Sequence, residues 1–280
     1  MVKPSLSVVI LTTNEEKNIL KCLESIKNVA SEIIVIDGYS TDKTLDIAKR
    51  FGAKVKQHTY VNQDQQFNWA LDNVPIHNEW ILRLDADEEI LPELADEIRD
   101  TLLETPLAIS GFYMKRRVYF MGRWIKHGGY YPTWILRLFR KGKARSEGRE
   151  MDEHIILLAG KAGHLKNDFV DDNRNGLKAW IEKQNGYSTR EVSARLKDSG
   201  AQGNFAGEQA ERKRWIKKNF YSQLPKFFRA FLYFLYRYFI RLGFLDGKEG
   251  LIFHFLQGFW HQFVIDAKIY ELEKKGENRN

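Results

Sequence analysis

The chain has 280 residues, 43% of them hydrophobic and 29% charged, which suits one large domain or one domain with a helical appendage and excludes a disordered polypeptide. Its net charge of +7 is unevenly spread: carboxylates crowd the first third, whereas Lys115 to Arg149 and Lys213 to Arg241 are rich in Lys and Arg. Such basic regions attract nucleic acid, phosphorylated substrates or anionic lipid, and nucleic acid is the weakest of the three without zinc-finger spacing, an RNA-recognition signature or a basic zipper. The single cysteine, Cys22, can make neither an internal disulfide nor a metal cluster, which is compatible with a reducing cytoplasm.

The first apolar run, Leu6–Leu11, is too short for a signal-peptide core or a membrane span, and polar Thr12-Thr13-Asn14-Glu15-Glu16 follows at once. It reads as a buried strand. Between it and a second β-branched run, Ile33–Ile36, the segment Glu16 to Val29 places Ile19, Leu20, Leu23 and Ile26 at helical spacing. Leu45 to Phe51 predicts a second helix, with Asp42 or Thr41 as its N-cap. Ala53–Gln57 reads as a third strand, Gln65–Asn73 as a helix, and Trp80–Leu84 as a fourth strand ending at Asp85-Ala86-Asp87-Glu88. Strands alternating with helices of this length favour a mostly parallel sheet, an α/β architecture. Ile109 to Phe139 turns aromatic-rich and strand-like with glycine turns, and residues 166–178 read as an Asn/Asp-rich loop leading into a helix.

The last part differs again. Phe227–Ile240 is almost wholly apolar but only about 14 residues long and broken by Arg229 and Arg237, against the roughly 20 apolar residues a span needs. At about 100° per residue, Lys226, Arg229, Tyr233, Arg237 and Arg241 share one third of a helical wheel, and Phe227, Phe231, Phe234, Leu235, Tyr238 and Leu242 cover the rest. A second such helix, Leu251 to Ile265, sets His254, Gln257, Gly258 and His261 against Ile252, Phe255, Phe259 and Phe263, with a turn over Gly243 to Gly250 between the two. Basic amphipathic helices of this kind lie in membrane interfaces, although aromatic stripes also serve as packing surface.

In parallel sheets, ligands bind beyond the carboxyl ends of the strands. Three polar clusters fall at such ends: Thr13-Asn14-Glu15, Asp37-Gly38-Tyr39-Ser40 and Asp85-Ala86-Asp87-Glu88. Two carboxylates one residue apart after a buried strand offer hard oxygen ligands to Mg²⁺ or Mn²⁺, which can bridge a nucleotide diphosphate. Alone, an Asp-x-Asp is as often a solvated loop, Asp37-Gly38 a plain turn, and Asn14-Glu15 a helix start.

Together, Ser7-Val8-Val9-Ile10 through Thr13-Asn14-Glu15-Glu16, then Ile36-Asp37-Gly38-Tyr39-Ser40-Thr41-Asp42-Lys43-Thr44, then Leu82-Arg83-Leu84-Asp85-Ala86-Asp87-Glu88, resemble family 2 glycosyltransferases in order and spacing. The likeness runs on through Trp124, Arg137-Leu138-Phe139-Arg140, Glu153-His154 and His164, nearest to bacterial enzymes building lipopolysaccharide core or other cell-surface glycans. It implies a GT-A fold, Rossmann-like with a mostly parallel central sheet, followed by the amphipathic helices. It also implies inverting transfer from a nucleotide sugar, usually a UDP-sugar, with Mg²⁺ or Mn²⁺.

By the same resemblance Thr12, Asn14, Glu15, Asp37 and Ser40 hold the nucleoside. Asp85 and Ala86 meet the diphosphate, Asp85 and Asp87 the metal, and His164 would complete the metal site. The subgroup often reads Gln-Arg-Asn before its next helix; here Phe67 replaces the arginine, so only Gln66 and Asn68 carry over. The base that takes the acceptor proton falls in Met151-Asp152-Glu153-His154, with Glu153 preferred over Asp152. Arg137, Arg140 and Lys141 could meet phosphate, and Trp124 a sugar ring. The implied division is 1–105 for the nucleotide-sugar half, 106–170 for the acceptor half, 171–218 for a helical connector and 219–280 for membrane-associating helices.

The expected partners are a lipid-linked or glycan acceptor and the inner face of the cell membrane. Two rivals share the α/β logic: a sugar-phosphate nucleotidyltransferase, and a non-catalytic membrane adaptor that keeps a sugar-nucleotide fold. The first is disfavoured because residues 5–20 hold no glycine for a phosphate loop.

Overall fold

The computed structural model describes residues 3–148, 154–197, 215, 219 and 221–277. They form two compact units: Met1–Tyr119 with Trp134–Asn175, and Phe120–Thr133 with Gly176–Asn280.

The first unit is a sheet with helices on both faces. β1 (Leu6–Thr12) is buried along its whole length, as a central parallel strand covered on both sides must be. It pairs in parallel with β2 (Glu32–Asp37) and β4 (Trp80–Asp85), and β2 pairs in parallel with β3 (Lys54–Gln57). The order continues from β4 through β8 (Thr133–Arg140), β6 (Ile109–Phe120) and β11 (Lys161–Asp171) to β5 (Glu88–Ile90). The β4–β8 and β11–β5 pairs are antiparallel, while β6 and β11 run parallel.

Alternation along β1 builds two cores. Val8 and Ile10 pack with α1 (Ile19–Ile26) and α4 (Pro92–Glu104) on one face; Val9 and Leu11 pack with α3 (Gln63–Asn73) on the other. Helix α1 buries Ile19, Cys22, Leu23 and Ile26, the i, i+3, i+4, i+7 stripe of an amphipathic helix. α2 (Thr44–Arg50) follows β2, and α3 is capped by the Asn62 side chain, which accepts from Gln65 N–H at 2.8 Å. α4 opens on Pro92, whose missing N–H is harmless in a first turn. A short hairpin, β9 (Ala144–Ser146) with β10 (Ile155–Leu157), lies apart from the main sheet.

The 166–178 stretch is not one loop. β11 runs to Asp171 because Leu165, Phe169 and Val170 are buried, while its polar residues face the cations of β6: Lys115 and Arg117 pair with Asp168, and Arg116 with Asp171. The loop proper is only 172–175.

The second unit holds β7 (Arg123–Trp124) and α5 (Gly176–Lys197), which packs on α8 (His261–Glu277) through Val192, Ile265 and Ile269. α6 (Phe228–Leu235) continues through a π-helical turn, Tyr236–Ile240. α7 (Gly247–His254) continues through another, Phe255–Trp260, into α8. The predicted basic stripe is divided: Arg229 and Arg237 face inward, 6% and 2% exposed, whereas Arg241 is exposed. Arg229 pairs with fully buried Asp266, which also accepts the Phe227 N–H at 2.8 Å and so caps α6. Arg237 donates to the Gly128 carbonyl and to His254 Nδ1, and its guanidinium lies 4.5 Å from the Tyr130 ring centroid. Gly128, at φ +67°, must be glycine, since a Cβ there would lie 2.1 Å from the His254 ring.

Candidate active site

The three strand-end clusters meet on one rim. The Asn14 N–H donates to Ser40 Oγ at 2.8 Å, and Asn14 Oδ1 accepts the Thr41 N–H at 2.8 Å, so the β1 and β2 ends are tied reciprocally. The Gly38 N–H donates to the Thr12 carbonyl at 2.9 Å, and the Ala86 N–H to the Leu11 carbonyl at 3.2 Å. Gly38 leaves room for Thr13, whose Oγ1 would stand 2.2 Å from an added Cβ. Asn14 tolerates its left-handed φ of 55°, as a short polar side chain can. Asp37 is fully buried and accepts from the Ser40 N–H at 2.9 Å and from Gln57 Nε2 at 3.0 Å. Thr12 Oγ1 is buried with no hydrogen-bond partner among the described residues, so a donor and acceptor is available there.

The acidic turn after β4 is built on charge balance. Asp85 lies between two buried guanidinium groups, Arg83 Nη2 at 3.2 Å from Oδ1 and Arg137 Nη2 at 3.2 Å from Oδ2. Arg137 also pairs with buried Glu88, whose other oxygen accepts the Asp85 N–H at 2.9 Å. Burial pushes the Glu88 carboxyl well above the usual carboxylate range; Arg137 opposes this, and the neighbouring charges of Asp85 and Asp171 add to it. Cys22 Sγ donates to the Asp85 carbonyl at 3.6 Å, and its thiol is pushed up chiefly by burial and then by the four carboxylates around it.

Asp87 stands on the other side of the turn. Its Oδ2 accepts from Asn173 Nδ2 at 2.9 Å, and its carbonyl accepts the Asp172 N–H at 3.0 Å. The 172–175 loop then straps the rim together: Arg174 pairs with Glu89 and Asp172, its N–H donates to Asn18 Oδ1, and Asn175 Nδ2 donates to Glu15 Oε2 at 3.0 Å. Sequence reading gave this loop no role. Arg83 was legible, because residues i and i+2 of a strand share a face and Asp85 is two residues on.

The remaining candidates are placed as follows. Gln66 is buried and donates to the His58 carbonyl, with Oε1 2.9 Å from His58 Nδ1. Asn68 forms a two-point clamp on Ser146, donating to its carbonyl and accepting its N–H, so its amide anchors β9. Asp152 and Glu153 lie outside the described residues. The His164 ring stacks on Tyr113 at 5.2 Å and meets Trp134 edge-on at 4.8 Å. Arg140 is buried, pairing with Glu79, donating to main-chain carbonyls and lying 4.4 Å from the Trp80 ring centroid. Lys141 donates to the Ile76 carbonyl. Trp124 meets the Tyr131 ring edge-on at 5.0 Å, with Lys126 over its face.

The donor set suits a hard divalent cation that shares its coordination with a ligand. Asp87 and Asp85 supply carboxylate oxygens, and among the described residues no three His, Cys, Asp or Glu side chains converge into a closed protein cage. Mg²⁺ is commonly held in this way, by one or two carboxylates with phosphate oxygens completing the shell.

A three-layer α/β unit with a carboxylate turn at the strand ends defines a GT-A glycosyltransferase, and the relatives agree. The model of glycosyl transferase family 2 matches residues 7–156, more than half of the chain, which therefore belongs to that family. An uncharacterized glycosyltransferase of Rickettsia typhi is 28% identical, covering 98% of this chain and 89% of its own. The lipopolysaccharide core biosynthesis glycosyltransferase LpsC of Rhizobium meliloti is also 28% identical, over 96% and 93%. The solved mannosyltransferase PcManGT of Pyrobaculum calidifontis shares the fold, at 14% identity and a TM-score of 0.53 over 98% of this chain and 89% of its own. The enzyme is thus a glycosyltransferase working from nucleotide-sugar donors, which displaces the nucleotidyltransferase and adaptor readings. No helix among the described residues is long and apolar enough to cross a membrane.

Proposed function

We propose that this enzyme moves a sugar, with inversion, from a UDP-sugar to a lipid-linked or lipopolysaccharide-type glycan in cell-envelope synthesis, as a metal-dependent protein peripheral to the inner face of the cell membrane. The observation that carries the donor half is the joining of the β1, β2 and β4 ends by direct hydrogen bonds into one rim. In this reading Asp37 takes the nucleoside together with Thr12, Asn14, Glu15 and Ser40, and Asp85 and Ala86 flank the diphosphate. Asp87 holds Mg²⁺ or Mn²⁺. The bound cation supplies neutralisation of charge on the leaving diphosphate.

The chain's own residues do the rest. Asn173 fixes the Asp87 carboxylate, and Arg83 with Arg137 sets the orientation of Asp85 before donor arrives. The support for the acceptor class is the likeness to a lipopolysaccharide core enzyme over nearly the whole chain. In the same reading residues 1–105 form the nucleotide-sugar half, 106–170 the acceptor half, 171–218 a helical connector and 219–280 the membrane-associating helices.

Inversion in one displacement requires a carboxylate that accepts the acceptor hydroxyl proton from the face opposite the leaving group, and Glu153 takes that role ahead of Asp152. Glu153→Gln is expected to lower transfer into a membrane glycolipid fraction by about 100-fold or more, the usual worth of a general base. UDP binding should be retained, and Asp152→Asn should cost far less. Full transfer by both variants would overturn the assignment.

A further inference from the structure

The second unit is arranged inside out. Within residues 227–264 three ionisable groups turn inward: Arg229 onto Asp266, Arg237 onto His254, and Asp246 onto His127, whose N–H it accepts at 2.9 Å. Several large apolar side chains turn outward, although Phe253 is buried. Phe239 is 53% exposed and Ile240 72%, and Phe231, Phe244, Leu245 and Phe255 are exposed as well. Both predicted amphipathic helices share this inversion, since His254, Gly258 and His261 are buried while Ile252, Phe255 and Phe263 are exposed. Contiguous exposed apolar surface of this kind marks an interaction face.

The charges left outside say what the face meets. Around the exposed turn Phe244-Leu245 stand Arg123, Arg241 and Lys248, all exposed, with Arg123 Nη2 3.4 Å from the Leu245 carbonyl. The acid within the turn, Asp246, is buried. An isologous pairing of two copies through this face would bring like-charged rims together, whereas anionic headgroups complement them. Aromatic rings suit the boundary between headgroups and acyl chains.

We infer that the ring face of α6, its π turn and α7, and not the inward arginines Arg229 and Arg237, is the surface that enters an anionic bilayer, with Arg123, Arg241 and Lys248 on the headgroups. This rests on the peripheral-membrane reading and assigns it a face. The helices lie along the membrane plane, and the buried ion pairs hold their charges within protein.

The test is co-sedimentation of the full chain with vesicles of phosphatidylethanolamine and phosphatidylglycerol, alongside vesicles of phosphatidylcholine, with analytical ultracentrifugation in parallel. Wild type is expected to bind the anionic vesicles and to sediment as a monomer without them. The double variant F239S/I240S should lose binding at least tenfold with its melting temperature and helical circular dichroism kept. R241Q/K248Q should weaken binding several-fold and erase the preference for phosphatidylglycerol. Undiminished binding by F239S/I240S would overturn the assignment of the face while leaving membrane association intact. Failure of wild type to bind any vesicle would instead remove the membrane reading itself. A dimer dissolved by F239S/I240S would give the face to a second copy, against the proposal.

Discussion

The two units solve opposite packing problems with the same residue types. In the sheet unit, apolar side chains fill two layers and the ionisable groups gather at the strand ends, where Asp85, Glu88, Arg83 and Arg137 form a compensated cluster facing the candidate donor site. In the helical unit, the Arg229–Asp266 pair occupies the interior while Phe231, Phe239, Phe244 and Phe255 are exposed. A buried charge is costly unless paired, so in both units the pairs mark places where geometry is fixed. What differs is the place: the rim cluster fixes the Asp85 carboxylate at the strand ends, and the helical pairs hold Arg229, Arg237 and Asp246 inside.

The largest effect that would break this comparison comes from the helical unit. Arg229→Ala removes the close partner of buried Asp266, leaving it Arg195 at 3.9 Å and the Phe227 N–H, and it should destabilise that unit by about 3 kcal/mol, the lower end of the cost of breaking a buried pair. Thermal unfolding followed by circular dichroism checks this. Replacing both partners, as in R229M/D266L, should recover much of the loss, because apolar residues of similar volume substitute well for a buried pair. If R229A melts with wild type, the pair is not structural and the inward stripe means little.

A smaller effect sharpens the sheet side. At the rim opposite the candidate site, burial by itself would raise the Glu32 carboxyl, but Lys54, Ser7 and His77 all donate to it and hold its pKa down to about 2, against 4.5 for a free glutamate. The folded value is depressed, so its contribution is present above pH 4.5 and is lost as pH falls toward 2. Denaturant titrations of wild type and Glu32→Gln should therefore differ at pH 7 and converge near pH 2. A pH-independent difference would contradict the hydrogen-bonded account.

Much of the sheet unit was legible because short β-branched runs and 3.6-residue periodicity are local signals, and β1, β2, β4 and α3 fall within a few residues of their sequence limits. β11 was misread because its Asn and Asp side chains mimic a loop, and the cations that satisfy them lie about 50 residues away on β6. The His164 stacking was hidden for a related reason: a motif gives order along the chain, and only the register with Tyr113 puts its ring in an aromatic stack. The helical wheel grouped Arg229 with Arg237 but could not give their inward direction. Asp266, the residue that draws Arg229 inward, lies beyond both predicted helices.

The central claim is that Asp87 holds the metal that engages a donor diphosphate, and one measurement meets it directly. Release of nucleoside diphosphate from a panel of nucleotide sugars, with Mn²⁺ and with EDTA, is compared between wild type and Asp87→Ala. The account predicts metal-dependent release for at least one donor by wild type, falling about 100-fold or more in the variant, the order of loss seen when a transition-state charge stabiliser is removed, with melting temperature preserved. Release by Asp87→Ala at the wild-type rate, or wild-type release indifferent to EDTA, would contradict it.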